Sequence, residues 1–191
     1  MPGPAKKDEE AQSALQTPWA RFMTDDEYYP FLIKKALRPA FWRWQDLYPR
    51  LNEVGKDPVR RADRRFISLV SDDTGEAGGA LPSLFIGIQY INPGEHILPH
   101  RHNSYAIYHI IKGKGYSILD EERFDWEVGD TLLCPPMASH EHINNGDEEA
   151  IQFVVQDMPA RAMDRNLIWE EPIGNVFHMV EGKGAPHQDQ D

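Results

Sequence analysis

The amino-acid sequence predicts an all-β barrel with a short N-terminal helical extension, and three observations carry that expectation. From about residue 65 onward, short runs rich in β-branched and aromatic residues alternate with Gly, Pro, Asn and Asp, the pattern of strands and tight turns. The turn signals recur at regular intervals, at Asn92-Pro93-Gly94, Lys112-Gly113, Asp120-Glu121-Glu122 and Asn145-Gly146-Asp147, which indicates a sandwich or barrel. Helical signals are confined to the residues before that point.

Taken in order, residues 1–17 are polar and contain proline, and are expected to form a loose tail. Thr24-Asp25-Asp26-Glu27 matches a capping box and predicts a helix over residues 25–36, ended by Pro39. Trp44, Leu47, Leu51 and Val54 recur at spacings of three and four, which predicts a second helix over 44–54 despite Pro49. Strands are expected over residues 66–70, 83–91, 104–111, 115–119, 123–126, 131–134, 140–144 and 150–156. This divides the chain into a tail (1–17), a helical arm packed on the barrel (18–62), the barrel (63–180) and a C-terminal tail (181–191). A chain of 191 residues fits one hydrophobic core.

The formal net charge of -11 repels phosphate backbones and anionic lipid, so neither nucleic acid nor a membrane surface is expected as a partner. An anionic ligand would need a local cation, either a metal ion or buried arginines. No apolar run is long enough to span a bilayer, and the first residues lack the apolar stretch of a signal peptide. Cys134 is the only cysteine, so no internal disulfide framework exists, and it reads as a small buried hydrophobe. A cytoplasmic protein with a small-molecule partner is expected.

Two His-x-His pairs are the most informative feature: His100-Arg101-His102 and His140-Glu141-His142, each expected to open a strand. Residues two apart on a strand share a face, about 7 Å apart along the backbone. The imidazoles of His100 and His102 can therefore meet at one ion, and a third ligand from a neighbouring strand completes the set. A lone histidine is more often an ordinary surface or core residue. Two such pairs among eight histidines, both beside turn residues, favour a metal site. Imidazole suits Fe, Zn, Cu and Ni alike.

The segment Gly94-Glu95-His96-Ile97-Leu98-Pro99-His100-Arg101-His102, closing at Gly113, resembles the first cupin motif, and Gly129-Asp130, Pro135, His140 and Asn144 resemble the second. The resemblance covers about residues 84–157 and implies the cupin double-stranded β-helix, a jelly-roll barrel with the ion inside. It also implies the metal set His100, His102 and His140. Cupins often place a glutamate four positions after the second histidine, and Ala106 stands there, so the implied ligands are three neutral imidazoles. In that respect the chain is similar to gentisate and salicylate ring-cleaving dioxygenases. Phe41-Trp42-Arg43-Trp44, Arg64-Arg65, residues 86–94 and Lys112-Gly113-Lys114-Gly115 extend the likeness. Those enzymes are usually bicupins, and this chain has one barrel.

The resemblance implies Fe(II), with Zn, Ni or Mn as alternatives. Three neutral ligands on Fe(II) leave adjacent positions for a chelating ortho-hydroxycarboxylate and for O2. His142, two residues beyond His140, should face the same way, as an acid/base or substrate hydrogen-bond donor or else as a support for His140. Counting by twos from His102 brings Tyr108 to the cavity as a catalytic and substrate-binding candidate. The resembling enzymes carry a carboxylate-binding arginine at that position, and a phenol cannot make its bidentate contact. Val154 stands where they place an aspartate, so a more apolar pocket is expected. Arg64, Gln89 and Phe85 are the other substrate-contact candidates, and Arg64 reads equally well as a plain ion-pair residue. Trp42 and Trp44 are expected in the core.

The expected function is an Fe(II) dioxygenase acting with O2 on a small gentisate- or salicylate-like aromatic or an enolisable substrate. The alternatives are a non-oxidative metal-dependent lyase, isomerase or decarboxylase, and a barrel that binds a small ligand without turnover. A homodimer is implied by the resemblance. The outward residues Ile107, His109 and Ile111 are candidates either for its contact area or for burial under the N-terminal helices.

Overall fold

Two antiparallel sheets form the barrel in the computed structural model, which describes residues 19–180. The tails expected at 1–17 and 181–191 lie outside the described residues. The chain divides into two units, residues 1–37 and residues 38–191. In the first, the capping box forms as expected: the Thr24 backbone N–H donates to Glu27 Oε2 at 2.7 Å and starts helix α1, Asp25–Leu32. The helix stops four residues short of the expected end. Pro30 within it has no N–H for the ladder, and β-branched Ile33 turns extended (φ −80°, ψ 114°), so Pro39 is not the terminator.

In the second unit, helix α2, Trp44–Lys56, runs through Pro49 and lays Leu51, Leu47 and Tyr48 on Ile88, Tyr90 and Ile151. The approach is close at Gly55, where a Cβ would stand 2.5 Å from the Tyr90 ring. Trp42 and Trp44 are not core residues, being 38% and 47% exposed. The Trp44 ring stacks on Tyr48 of its own helix, 5.4 Å away.

The strands are β1 Phe66–Leu69, β2 Phe85–Ile91, β3 His96–His102, β4 Ala106–Lys112, β5 Gly115–Leu119, β6 Glu122–Trp126, β7 Thr131–Cys134, β8 His140–Ile143, β9 Ala150–Gln156, β10 Ile168–Glu170 and β11 Val176–His178. One sheet runs β1-β2-β9-β4-β7 and the other β11-β10-β3-β8-β5-β6. Helix α3, Met158–Met163, links β9 to β10, and 3-10 turns cover Ala62–Arg64 and Asp72–Ala77, the second span broken by a kink at Gly75. Among the described residues no helix is long and apolar enough to cross a membrane.

Eight expected strands are present with ends shifted by a residue or two, whereas β3, β10, β11 and α3 were not foreseen. His100-Arg101-His102 ends β3; it does not open a strand. Along β3, Ile97 pairs with His142 and His100 with His140, so three residues on β3 span two on β8. This bulge, at Leu98-Pro99, keeps Ile97 and His100 both inward although they are three apart. Proline suits it, having no N–H to give the ladder.

Inside, Ile91, Ile97, Ile110, Trp126 and Ala150 form one buried cluster, and Ala106, Tyr108, Leu119, Cys134, Ala138 and Val154 another. Of the outward residues on β4, Ile111 packs against the cluster under α2, while Ile107 and His109 are exposed.

Candidate metal centre and the cavity beside it

His100 and His102 come from the end of β3 and His140 from the start of β8. One ring nitrogen from each lies within 4.8 Å of the others, and among the described residues the cluster includes no carboxylate. Each ring is held by its Nδ1: against Leu98 O at 2.9 Å for His100, Ser104 O at 2.7 Å for His102, and Ala138 O at 2.9 Å for His140. With Nδ1–H donating to a carbonyl, the lone pair sits on Nε2.

The Nε2 atoms of His102 and His140 are buried with no hydrogen-bond partner. An unpaired buried acceptor costs about 1–3 kcal/mol unless something fills it, and a divalent cation fits this donor set. Burial is the first cause of a lowered pKa at all three rings; it takes His102 down to about 4, with the neighbouring His100 adding to the shift. The rings are therefore neutral near pH 7, the state that binds metal.

His142 faces inward with them, its ring centroid 5.7 Å from that of His140. It makes no hydrogen bond to His140; its Nδ1 lies 2.7 Å from Ser117 Oγ. Ser117 Oγ accepts the Trp126 indole N–H at 2.9 Å, which leaves its own proton available for Nδ1. That arrangement leaves the His142 proton on Nε2, which has no partner in the protein. Burial, and then the charges of His100 and His102, push its pKa down to about 3, so the ring is a neutral donor. Tyr108 lies 4.4 Å from His142 between ring centroids, and burial raises its phenol pKa, so it too stays neutral.

A cavity of about 350 Å³ opens beside these rings. His100, Tyr108, His142, Gln89, Phe85 and Arg64 all line it, which brings every substrate-contact candidate to one space. Arg64 is engaged there by ion pairs with Asp63 and, at 3.2 Å, with Glu171. The expected apolar character holds: Val154, Phe66, Met158, Leu167 and Met179 make up much of the remaining wall.

Sequence reasoning missed Trp169 and Ser117. Strand β10 pairs with β3, setting Trp169 opposite His102. The indole stacks on His102 at 4.7 Å and on His100 at 5.5 Å, and its N–H donates to Glu171 at 2.9 Å. Glu171 is in turn bound by Arg61 and Arg64. Strand β10 has three residues, too few to show a period. Ser117 did leave a signal, as the one polar residue on the inward positions of Gly115–Leu119.

The two sheets divide the site. All four inward histidines and Ser117 belong to the six-stranded sheet, whereas Tyr108, Val154, Gln89 and Phe85 come from the five-stranded sheet facing it.

Two facing antiparallel sheets with convergent neutral imidazoles between them define a metal-binding β-barrel. The chain belongs to the cupin family, whose domain matches residues 87–156. It is 35% identical over 171 residues to a 5-nitrosalicylic acid 1,2-dioxygenase from Bradyrhizobium, covering 86% of this chain and 83% of that protein. It is 32% identical to a gentisate 1,2-dioxygenase from Ralstonia, covering 68% of this chain and 38% of the relative. Among solved structures, a salicylate 1,2-dioxygenase from Pseudaminobacter salicylatoxidans superposes with a TM-score of 0.70 at 25% identity, over 87% of this chain and 47% of that one. The chain thus spans most of the first relative and less than half of the other two.

Proposed function

We propose that this chain is an Fe(II)-dependent dioxygenase that uses O2 to open a small hydroxylated aromatic acid of the gentisate or salicylate kind. One observation carries the reading: three neutral imidazoles, two of them with buried and unpartnered Nε2 atoms, and no carboxylate, converge beside a cavity of about 350 Å³. His100, His102 and His140 would hold the ion. Bound Fe(II) would supply the redox chemistry that O2 requires and a charge to attract the substrate's oxygens.

The protein's own groups do the rest. His142 offers its Nε2 proton to a substrate oxygen and can take it back. Tyr108 adds a second neutral donor, Gln89 an amide, and Phe85 a flat apolar wall for the ring. Trp169 shields the outer faces of His100 and His102 from water. Arg64 acts at the rim through its ion pairs. The likeness in sequence to ring-cleaving dioxygenases supports this reading. The proposal includes a cytoplasmic location, where Fe(II) stays reduced, and a homodimer using the exposed Ile107 and Leu133, which light scattering would detect.

The test is metal analysis of protein purified without added metal, then O2 uptake with gentisate, salicylate and substituted salicylates. Iron should be found, and uptake should match ring loss. His100→Ala or His140→Ala should abolish metal retention; His142→Ala should keep the metal and lose turnover. Full activity in His142→Ala removes that residue from the mechanism. The uncharged Tyr108 favours one second reading, a barrel that binds such rings without turnover; tight binding with no O2 uptake would establish it.

A further inference from the structure

Gln156, the last residue of β9, is buried inside the barrel and lines the cavity beside the imidazoles. Its place follows from pairing: Ala106 lies opposite it on β4 and ends at Cβ, which leaves the amide room to reach Ser104 in the turn after β3. Proton positions follow. His102 Nδ1–H donates to Ser104 O at 2.7 Å, and Ser104 Oγ lies 2.8 Å from the same nitrogen, so the hydroxyl proton has Gln156 Oε1, at 3.3 Å, as its acceptor. The amide oxygen is thereby taken. Its Nε2 has no partner among the described residues, and both its protons are left for the cavity.

A hydroxylated aromatic acid bound here brings a carboxylate, and the cavity wall offers it little positive charge. Among the lining residues only Arg64 carries a permanent one, and it is ion-paired with Asp63 and Glu171. Neutral donors must serve instead, since an anionic oxygen buried without any is costly. Gln89 also lines the cavity, but no hydrogen bond among the described residues fixes its amide, whereas Ser104 holds that of Gln156 one hydroxyl away from His102. A donor already held in place loses less freedom on binding. We propose that Gln156 is a substrate-binding residue: its Nε2 donates to the carboxylate oxygen that does not face the ion, and this amide, in place of a cation, sets the acid's orientation. The carboxylate rests on the reading of the chain as a dioxygenase of such acids; the donor rests on Gln156, Ser104 and His102.

The experiment is anaerobic calorimetry on the Fe(II)-loaded chain with two probes that chelate through an oxygen pair: salicylate, which has a further carboxylate oxygen, and tropolone, which has none. Gln156→Leu should keep its metal, because His102 retains the Ser104 carbonyl. It should bind salicylate about tenfold or more weakly, the loss expected of one hydrogen bond to a charged group. Its affinity for tropolone should change by less than about twofold, since the variant and the probe then lack the same contact. Should the variant fail to fold, the unaltered zinc-loaded, isotope-labelled chain gives the answer by nuclear magnetic resonance. The side-chain amide protons of Gln156 should move downfield with salicylate and stay in place with tropolone.

An equal loss for both probes, loss of metal in the variant, or amide protons unmoved by salicylate overturns the proposal. A loss confined to salicylate, in a chain that takes up no O2, supports the role of Gln156 and overturns the dioxygenase reading. O2 uptake by the parent with unchanged salicylate binding in Gln156→Leu does the reverse, and a metal-loaded chain that binds neither probe overturns both.

Discussion

The Ser117 hydroxyl stands between the Trp126 indole N–H and His142 Nδ1, at 2.9 and 2.7 Å, and so relays an orientation from the packed core to the candidate site. Ser117→Ala removes the relay and leaves the buried Trp126 N–H without a partner. The expected cost is about 1–3 kcal/mol of stability, read by urea unfolding. Metal stoichiometry should be unchanged, because His100, His102 and His140 keep their own carbonyl partners. Turnover should fall by about tenfold or more through the freed imidazole. A variant that unfolds like the parent and turns over at the parental rate contradicts this role. His142 was legible because alternation along His140-Glu141-His142 is unbroken. Ser117 was overlooked because one inward hydroxyl is a faint mark, and its meaning comes from Trp126, nine residues away on the next strand.

Strand β3 shows what alternation alone cannot reveal. Its bulge at Leu98-Pro99 breaks the period of two, so the residues before His100 carry no strand pattern, and the histidine pair looks like a beginning when it is an end. The parity from His102 to Tyr108 nevertheless survives the turn between β3 and β4, and Tyr108 is inward as counted. Strands β10 and β11, three residues each, are held by pairing with distant partners, which no local window contains. The bulge also makes an element-scale prediction. Deleting Leu98 removes the surplus residue and leaves Ile97 and His100 two apart, both inward, so metal binding should persist. Deleting Glu141 from the regular strand β8 leaves His142 paired with Ile97 and Ser117, so it should turn the ligand His140 outward and abolish metal binding. Metal analysis of the two deletions checks both halves; equal loss in both would refute the bulge's role.

For the molecule as a whole, burying several imidazoles ties stability to pH. His102 and His142 resist protonation when folded, with pKa values lowered to about 4 and about 3 from 6.5. The unfolded chain takes up protons near 6.5, so their contribution is complete above that pH and is lost as the pH falls from 6.5 towards 4. For metal-free protein, two such rings imply a loss on the order of 4 kcal/mol between pH 7.5 and 4.5, measurable by urea denaturation. Equal stability at the two values would mean that the rings are not buried as described. The separation of the histidines onto one sheet and of Phe85, Gln89, Tyr108 and Val154 onto the other has a consequence for ancestry. Mutations in Phe85, Tyr108 or Val154 can retarget the pocket while the ion's holder goes untouched, so descendants of one scaffold can acquire new diets without first surrendering their chemistry.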